Sequence, residues 1–456
     1  MLDQSFSSEN FRKILDIENR KGFYLEGEFY PDIAEINERI KDVISQIKQL
    51  KNLQITEEEF LQVREQLNET KENLKIEKEE KLIKKLAVIS SAITSHDFKI
   101  KIEVDTIISS KPVYKTKHTL ENILALKQLQ HNFKKLYKVN QSNRYSIVSQ
   151  LKNLLDDGFP KHVVRTDIKE FYESIPHDKL LKKINDENLL THLSRRFIQQ
   201  ILNDYKLKAQ TTKGVPRGIG ISAYLTELYM RDVDAKIKAI PNVMYYARYV
   251  DDIIVIFMPD IDAIIRDYRK IIKDILSEEA LLMNENIEKT KVIDLTDRRK
   301  KQNYFIEYLG YRFISGYNEN KHVPLQLRIS KQKKRRYAER LQKAFILYGK
   351  EAKGNEKLAR KIFIKRLKFL MSNTRLVNNK RNVITGIYYT NSLVNTSVDF
   401  QMLDLFLARL IRTFTLPVSL MTRISVKNSF VSGFNPTCIS KFNAKELNVI
   451  MKNWTK

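Results

Sequence analysis

Ala247-Arg248-Tyr249-Val250-Asp251-Asp252-Ile253-Ile254-Val255-Ile256-Phe257 sets two adjacent acids between strand-forming runs. Val243-Met244-Tyr245-Tyr246 leads in and an unbroken apolar run leads out, which predicts two buried strands meeting at the acidic pair. Hairpin tips ordinarily carry Asn-Gly or Asp-Gly. Neighbouring carboxylates repel each other unless positive charge lies between them. A divalent cation, Mg²⁺ or Mn²⁺, is the natural neutraliser for hard oxygen ligands. A solvated hairpin tip is the plainer reading of Asp-Asp taken alone, so the rest of the chain has to decide.

The chain has 456 residues, enough for two or three domains with a proper core. Lys and Arg number 81 against 55 Asp and Glu, a formal net charge of +26 that points to a polyanionic partner. An anionic membrane is the competing polyanion. The polar opening Met1-Leu2-Asp3-Gln4-Ser5-Phe6-Ser7 lacks the build of a signal peptide. No apolar run approaches the roughly 18 residues that a span needs, so no membrane is expected. The single cysteine, Cys438, excludes an internal disulfide and a cysteine-built zinc site, and fits a cytoplasmic location.

Along the chain, Ile33, Ile36, Ile40, Val43, Ile47 and Leu50 recur at spacings of three and four. After a break at Asn52–Ile55, Thr56-Glu57-Glu58-Glu59 reads as a capping box, and Phe60, Val63, Leu67 and Leu74 make a second stripe. An antiparallel helical hairpin is predicted there, either a spacer or a docking arm for protein or RNA. Phe98–Val104 looks strand-like, and Leu120–Leu129 and Asn143–Leu155 look helical. Val163-Val164-Arg165-Thr166-Asp167-Ile168-Lys169-Glu170-Phe171-Tyr172 is a β-branched strand that delivers one carboxylate. Leu180–Tyr205 reads as helical. The loop Lys213-Gly214-Val215-Pro216-Arg217-Gly218-Ile219-Gly220 follows, its glycines able to bring backbone close to a ligand, and Ser222 is a candidate N-cap for the next helix. Ile261–Leu282 is an amphipathic helix, and Asn286–Val292 and Tyr308–Phe313 return to strand character. From Arg328 to Met371 the chain holds sixteen Lys/Arg and three Glu, including Lys333-Lys334-Arg335-Arg336. Tyr337, Phe345, Tyr348, Phe363 and Phe369 are interleaved with these charges, which predicts a surface that tracks phosphates.

Asp167, Asp251 and Asp252 thus come from two strand ends far apart in the sequence. Phosphoryl transfer by two metal ions needs such an arrangement: carboxylates on a rigid sheet, bridging ions roughly 3.5–4 Å apart. Positioning and charge neutralisation then carry the rate.

Over about residues 110–320 the chain resembles reverse transcriptases, with motifs in the order that family uses. Asp167-Ile168-Lys169 through Tyr172 is similar to the first catalytic motif, Gly214–Gly220 to the template-and-base-pair loop, and Tyr249-Val250-Asp251-Asp252 to the aromatic-x-Asp-Asp box. Asn286-Ile287-Glu288-Lys289-Thr290 resembles the lysine motif, and Leu309-Gly310-Tyr311 the primer-grip hairpin. The resemblance implies an α+β right-hand polymerase: fingers and an antiparallel palm over 89–320, a basic helical thumb and C-terminal region over 321–456, and a helical hairpin region over 1–88. It implies that Asp167, Asp251 and Asp252 bind two Mg²⁺ ions, with Mn²⁺ able to replace them. Tyr172 becomes the steric gate that selects deoxynucleotides, and Arg144, Lys138 and Lys289 contact the nucleotide. Arg217, Gly218, Gly310, Tyr311, Lys333, Lys334, Arg335 and Arg336 contact template and primer. Where many relatives have Pro-Gln-Gly this chain has Pro216-Arg217-Gly218, a charge beside the expected template.

Within the family, the opening Phe6-Ser7, Asn10-Phe11 and Glu18-Asn19-Arg20-Lys21-Gly22, with the Asp167–Ile175 run, resembles bacterial antiviral, defence-associated reverse transcriptases, nearest the type-three "a" component. That implies a structured non-coding RNA template, a DNA product, a second reverse transcriptase subunit or self-association, and a role against phage. Two rivals remain: an RNA-dependent RNA polymerase on the same palm, against which Tyr172 argues, and a catalytically silent palm kept as an RNA-binding scaffold.

Overall fold

The computed structural model describes residues 2–50, 56–139, 142–259, 266–297, 302–318, 321–376, 383–427, 429–452 and 454. The break read at Asn52–Ile55 and the start of the helix read from Ile261 lie outside them. Helices and mainly antiparallel sheets are segregated along the chain, so the fold is of the α+β class. Two compact units emerge, Met1–Asn140 with Glu170–Val233, and Gln141–Lys169 with Asp234–Lys456.

In the first unit, Ser7 caps the helix Ser8–Lys21 by accepting from the Asn10 amide, and Gly22 ends it in a left-handed conformation. The predicted hairpin is present as Pro31–Gln49 and Glu57–Thr94, and its seam buries Ile36, Ile40, Val43 and Leu74. Thr56 and Glu59 form the reciprocal capping box. Val63, read as part of the second stripe, is exposed, because the seam closes only from Leu67 onward. Three further readings shift. Strand structure begins at Ile102, not Phe98. The helix read over Leu180–Tyr205 is two, His177–Glu187 and His192–Ala209, broken where Asn188 turns left-handed. Ser222 donates its hydroxyl to the Pro216 carbonyl and so fixes the preceding loop instead of capping the helix it begins.

The second unit is built on a four-stranded antiparallel sheet in the order Val243–Tyr249, Asp252–Phe257, His162–Asp167, Lys291–Asp294. A three-stranded antiparallel meander follows, Gln302–Tyr308, Tyr311–Asn318 and Lys321–Ile329. Leu309 and Gly310 make its first turn, both at positive φ, which is the two-residue hairpin geometry that glycine favours. One hydrophobic core joins Val163, Ile254 and Ile256 of the first sheet to Phe313 and Leu327 of the second, and on to Phe345, Phe363 and Phe400.

The basic segment Lys331–Met371 is helical but not straight. Asn355 leaves helical geometry at φ −149, and its side chain caps the second arm at Leu358. Arg366 is fully buried and makes two 2.8 Å bonds to Glu351, fifteen residues earlier. A straight helix would hold those residues about 22 Å apart, so the arms fold back on each other. Phe345, Tyr348 and Phe363 pack together across that bend with ring centroids 4.9 Å apart. These three aromatics, read as part of a nucleic-acid surface, are core residues, since folding the helix double gives them a partner face to bury against.

Removing Glu351 leaves a buried guanidinium unpaired. Glu351→Ala should lower unfolding free energy by about 3 kcal/mol, the low end for breaking a buried pair because Glu351 is itself one-third exposed. Denaturant unfolding reads this out, and a loss well under about 1 kcal/mol would mean that the aromatics hold the bend unaided.

Candidate active site

The strand His162–Asp167 lies between two neighbours, and its register sets Asp167 directly opposite Asp252. Tyr249 pairs with Asp252 on the far side, so Val250 and Asp251 are the two-residue tip. The Ile168 amide donates to the Asp251 carbonyl at 3.2 Å, which ties the tip to the end of the Asp167 strand. Folding therefore brings all three acids into one neighbourhood of the second unit.

Their counter-charges come from the protein. Lys289 Nζ sits 2.8 Å from Asp167 Oδ2, and Arg165 Nη2 lies 3.0 Å from Asp252 Oδ1. Arg165 Nη1 also donates to the carbonyl of Glu288 at 3.0 Å. Around Lys289, the Asn284 amide donates to the Asp167 carbonyl, and the Thr166 and Thr290 hydroxyls share a hydrogen bond. Burial raises the Asp252 pKa, and Asp251 and Asp167 push it further up, while Arg165 and Lys289 work the other way. Asp167 is 5 % exposed, and its Oδ1 is buried with no hydrogen-bond partner.

Among the described residues no three His, Cys, Asp or Glu side chains are arranged as a ready metal cage. The donor set nevertheless suits a hard cation. Asp167 Oδ1 is an unsatisfied acceptor in a low-dielectric position, and the Lys289 head group that faces its sister oxygen is on a flexible, half-exposed side chain.

Residues not singled out from the sequence brace the tip. Arg248 bonds Asp234 through two nitrogens at 2.8 Å and donates to the Val250 carbonyl. Tyr308 donates its hydroxyl to the Asp252 carbonyl at 2.9 Å. Arg165 had a usable signal: it stands two residues before Asp167 on a strand, hence on the same face.

The remaining predicted residues fall into separate groups. In the second unit, Arg144 Nε donates to the Leu309 carbonyl at 2.7 Å, and its guanidinium lies 5.5 Å from the Tyr311 ring centre. Lys333 approaches the same ring at 5.2 Å, so Arg144, Gly310, Tyr311 and Lys333 form one cluster. Burial, with Arg144 and Arg336 nearby, pushes Lys333 down to about 7. Lys334 instead pairs with buried Asp399, and Arg335 pairs with Glu339 in solvent. In the first unit, Arg217 stacks over Tyr172 at 5.4 Å and bonds Glu173 at 3.0 Å. Gly218, at φ +92, lies where a Cβ would come within 2.3 Å of the Tyr114 carbonyl. Lys138 is exposed just past the helix Leu120–Tyr137, in a left-handed conformation.

Residues 109–313 match the family model described as Reverse transcriptase (RNA-dependent DNA polymerase), an enzyme family. No curated protein matches the chain. Among solved structures, apo telomerase from Candida Tropicalis truncated from the C-terminal domain matches at 16% identity and TM-score 0.35, covering 52% of this chain and 56% of that one. Apo telomerase from Candida Tropicalis matches at 15% and 0.37, covering 78% and 61%. Telomerase from Candida albicans, in complex with a TWJ fragment of telomeric RNA, matches at 13% and 0.32, again covering 78% and 61%. The likeness is distant, and the chain spans 56% of the length of the first of these proteins and 61% of the other two.

A raised carboxyl pKa in the folded state stabilises below the unfolded value, and that contribution is lost as pH rises through the folded one. In metal-free buffer Asp252→Asn should therefore melt higher than the parent at pH 7, with the gain vanishing below about pH 4. A variant that melts lower at pH 7 would show the Arg165 pair outweighing the repulsion.

Proposed function

We propose that the chain adds deoxynucleotides to a primer 3′ end on an RNA template, through the reverse transcriptase domain matched over residues 109–313. The observation that carries this reading is the cross-strand pairing of Asp167 with Asp252 beside the Asp251 tip. On this reading 89–320 serve as fingers and palm, 321–456 as thumb and C-terminal region, and 1–88 as an appended helical region.

Asp167, Asp251 and Asp252 would hold two divalent cations, magnesium or manganese. Bound there, such ions lower the pKa of the attacking 3′-hydroxyl and neutralise the leaving pyrophosphate. The protein supplies position and charge. Arg165 clamps Asp252 to the 288–289 backbone and keeps the strand ends in register. Lys289 balances Asp167 in the absence of substrate, and its long stem lets the ammonium turn to an incoming triphosphate. Tyr172, whose carbonyl is fixed by the Val215 amide, is the proposed gate against a 2′-hydroxyl.

The template we propose is a structured non-coding RNA, copied into DNA as part of antiviral defence in the cytoplasm of a bacterium. A second reverse transcriptase subunit, or self-association, belongs to that proposal. Its support is the sequence resemblance around Phe6–Gly22 and Asp167–Ile175.

Primer extension on RNA with Mg²⁺ tests the chemistry. Asp251→Asn combined with Asp252→Asn should lower incorporation by about three orders of magnitude or more while RNA affinity stays within about twofold. Unchanged extension by that double variant ends the polymerase reading. Separately, Tyr172→Ala should cut the preference for deoxy- over ribonucleotides by about tenfold or more; undiminished preference would remove Tyr172 from the gate.

A further inference from the structure

Beside the turn Leu309-Gly310 the second unit contains a cavity of about 470 Å³, within the usual range for small-molecule sites. Arg144, Lys333, Arg336 and Arg340 line it, and among the described residues no carboxylate does. Within the helical segment Lys331–Met371, by contrast, Lys334, Arg335, Arg360 and Arg366 each face an acid within 3.0 Å. Among the described residues none of the four lining cations has such a partner.

Two of them are also held in place. Arg144 is fixed by the Leu309 carbonyl and Lys333 by the Thr390 carbonyl at 3.0 Å, so neither can swing out to relieve the repulsion cheaply. A second, independent feature is Thr374, on the lining, 2 % exposed, with a buried hydroxyl that has no hydrogen-bond partner. A buried polar group left unsatisfied costs roughly 1–3 kcal/mol, and a bound acceptor would recover part of it. The apolar part of the lining comes from Phe369, Leu370, Ile387 and Tyr337.

We infer that this cavity is a binding site for one phosphorylated nucleotide, its phosphate held by Arg144, Lys333, Arg336 and Arg340 and its base laid against the apolar part of the lining. Guanidinium forks match phosphate oxygens in pairs, and a planar base suits an aromatic, aliphatic surface. None of Asp167, Asp251 or Asp252 lines the cavity, so loss of those acids tests the proposed polymerase chemistry without removing a lining residue of this site. The ligand is either a free nucleotide or the 5′-phosphorylated end of a strand.

The test is equilibrium binding to the full chain in EDTA, which keeps divalent ions from recruiting nucleotide to the carboxylates. Fluorescently labelled AMP is one probe, and a short DNA oligonucleotide with a 5′-phosphate or a 5′-hydroxyl is the other. Saturable binding of AMP identifies a free nucleotide. Binding of the 5′-phosphorylated oligonucleotide at least tenfold tighter than its 5′-hydroxyl twin identifies a strand end. In either case Arg336→Ala with Arg340→Ala should weaken binding at least tenfold, and both side chains are exposed enough to remove without unfolding the chain. Thr374→Val should weaken binding several-fold while leaving the melting temperature equal or higher, a combination that a structural role for the hydroxyl would not give. Asp251→Asn with Asp252→Asn should bind as the parent does. No saturable binding of AMP together with no preference for the 5′-phosphate, or binding that survives loss of Arg336 and Arg340, overturns the inference.

Discussion

Like charge at the end of a buried strand is the constraint around which the second unit is arranged. Asp167 is almost wholly buried, Asp252 faces it across the ladder, and Asp251 forms the neighbouring tip. Taken alone, that grouping would push its protons back on. The fold answers with two cations of different character. Arg165 projects from the strand that ends in Asp167, and its rigid fork grips both Asp252 and the backbone after Asn286. Lys289 comes from that same following turn, on a stem that remains half exposed. One is a fixture of the site and the other a movable balance. The hydroxyl pair Thr166–Thr290 and the Asn284 amide then lock the lysine-bearing turn against the strand.

Holding the tip itself carries a cost in strain. Val250 is β-branched yet sits at φ +60, in the first position of a two-residue turn where glycine is favoured. A backbone of that kind costs on the order of 1–3 kcal/mol and persists only where its surroundings over-determine it. Arg248, locked on Asp234, holds the Val250 carbonyl, and Tyr308 holds the Asp252 carbonyl. Tyr308 leads straight into Leu309-Gly310, the turn on which Arg144 is anchored. The neighbours Tyr308 and Leu309 thus link the acidic tip to Arg144 of the cationic cavity, one through its hydroxyl and the other through its carbonyl.

Patterns with a period were the part of this fold that the sequence disclosed. The heptad-like spacing from Ile33, the Thr56–Glu59 box and the acid pair between apolar runs all appear where they were read. Each rests on local chemistry that does not wait for tertiary structure. What escaped depends on partners remote in the chain. Phe345 and Phe363 look like a basic helix's stacking surface until the bend at Asn355 presents them to each other. Ser222 has the form of an N-cap, but its hydroxyl finds the Pro216 carbonyl. Asp234, Arg248 and Tyr308 are single polar residues whose importance is fixed only when strands and helix converge. Arg165 lies between these cases, since strand periodicity alone puts it on the face of Asp167.

The basic excess of the chain divides along the same physical line. Run together in sequence, Lys333-Lys334-Arg335-Arg336 reads as one polyanion-binding surface, yet the helix divides the four among different surroundings. Lys334 joins Arg328 on Asp399, whose carboxyl these two cations hold below its usual range against the effect of burial. Arg335 closes an exposed helical pair with Glu339, worth a few tenths of a kcal/mol. Lys333 and Arg336 turn to the cavity, where Arg144 and Arg340 add charge and, among the described residues, no acid offsets it. Ion pairs that satisfy one another hold a scaffold together and leave little field for a ligand. Net positive charge acts on a partner only where the protein has declined to neutralise it, and that makes the uncompensated cluster beside Leu309, rather than the count of lysines and arginines, the informative feature of this surface.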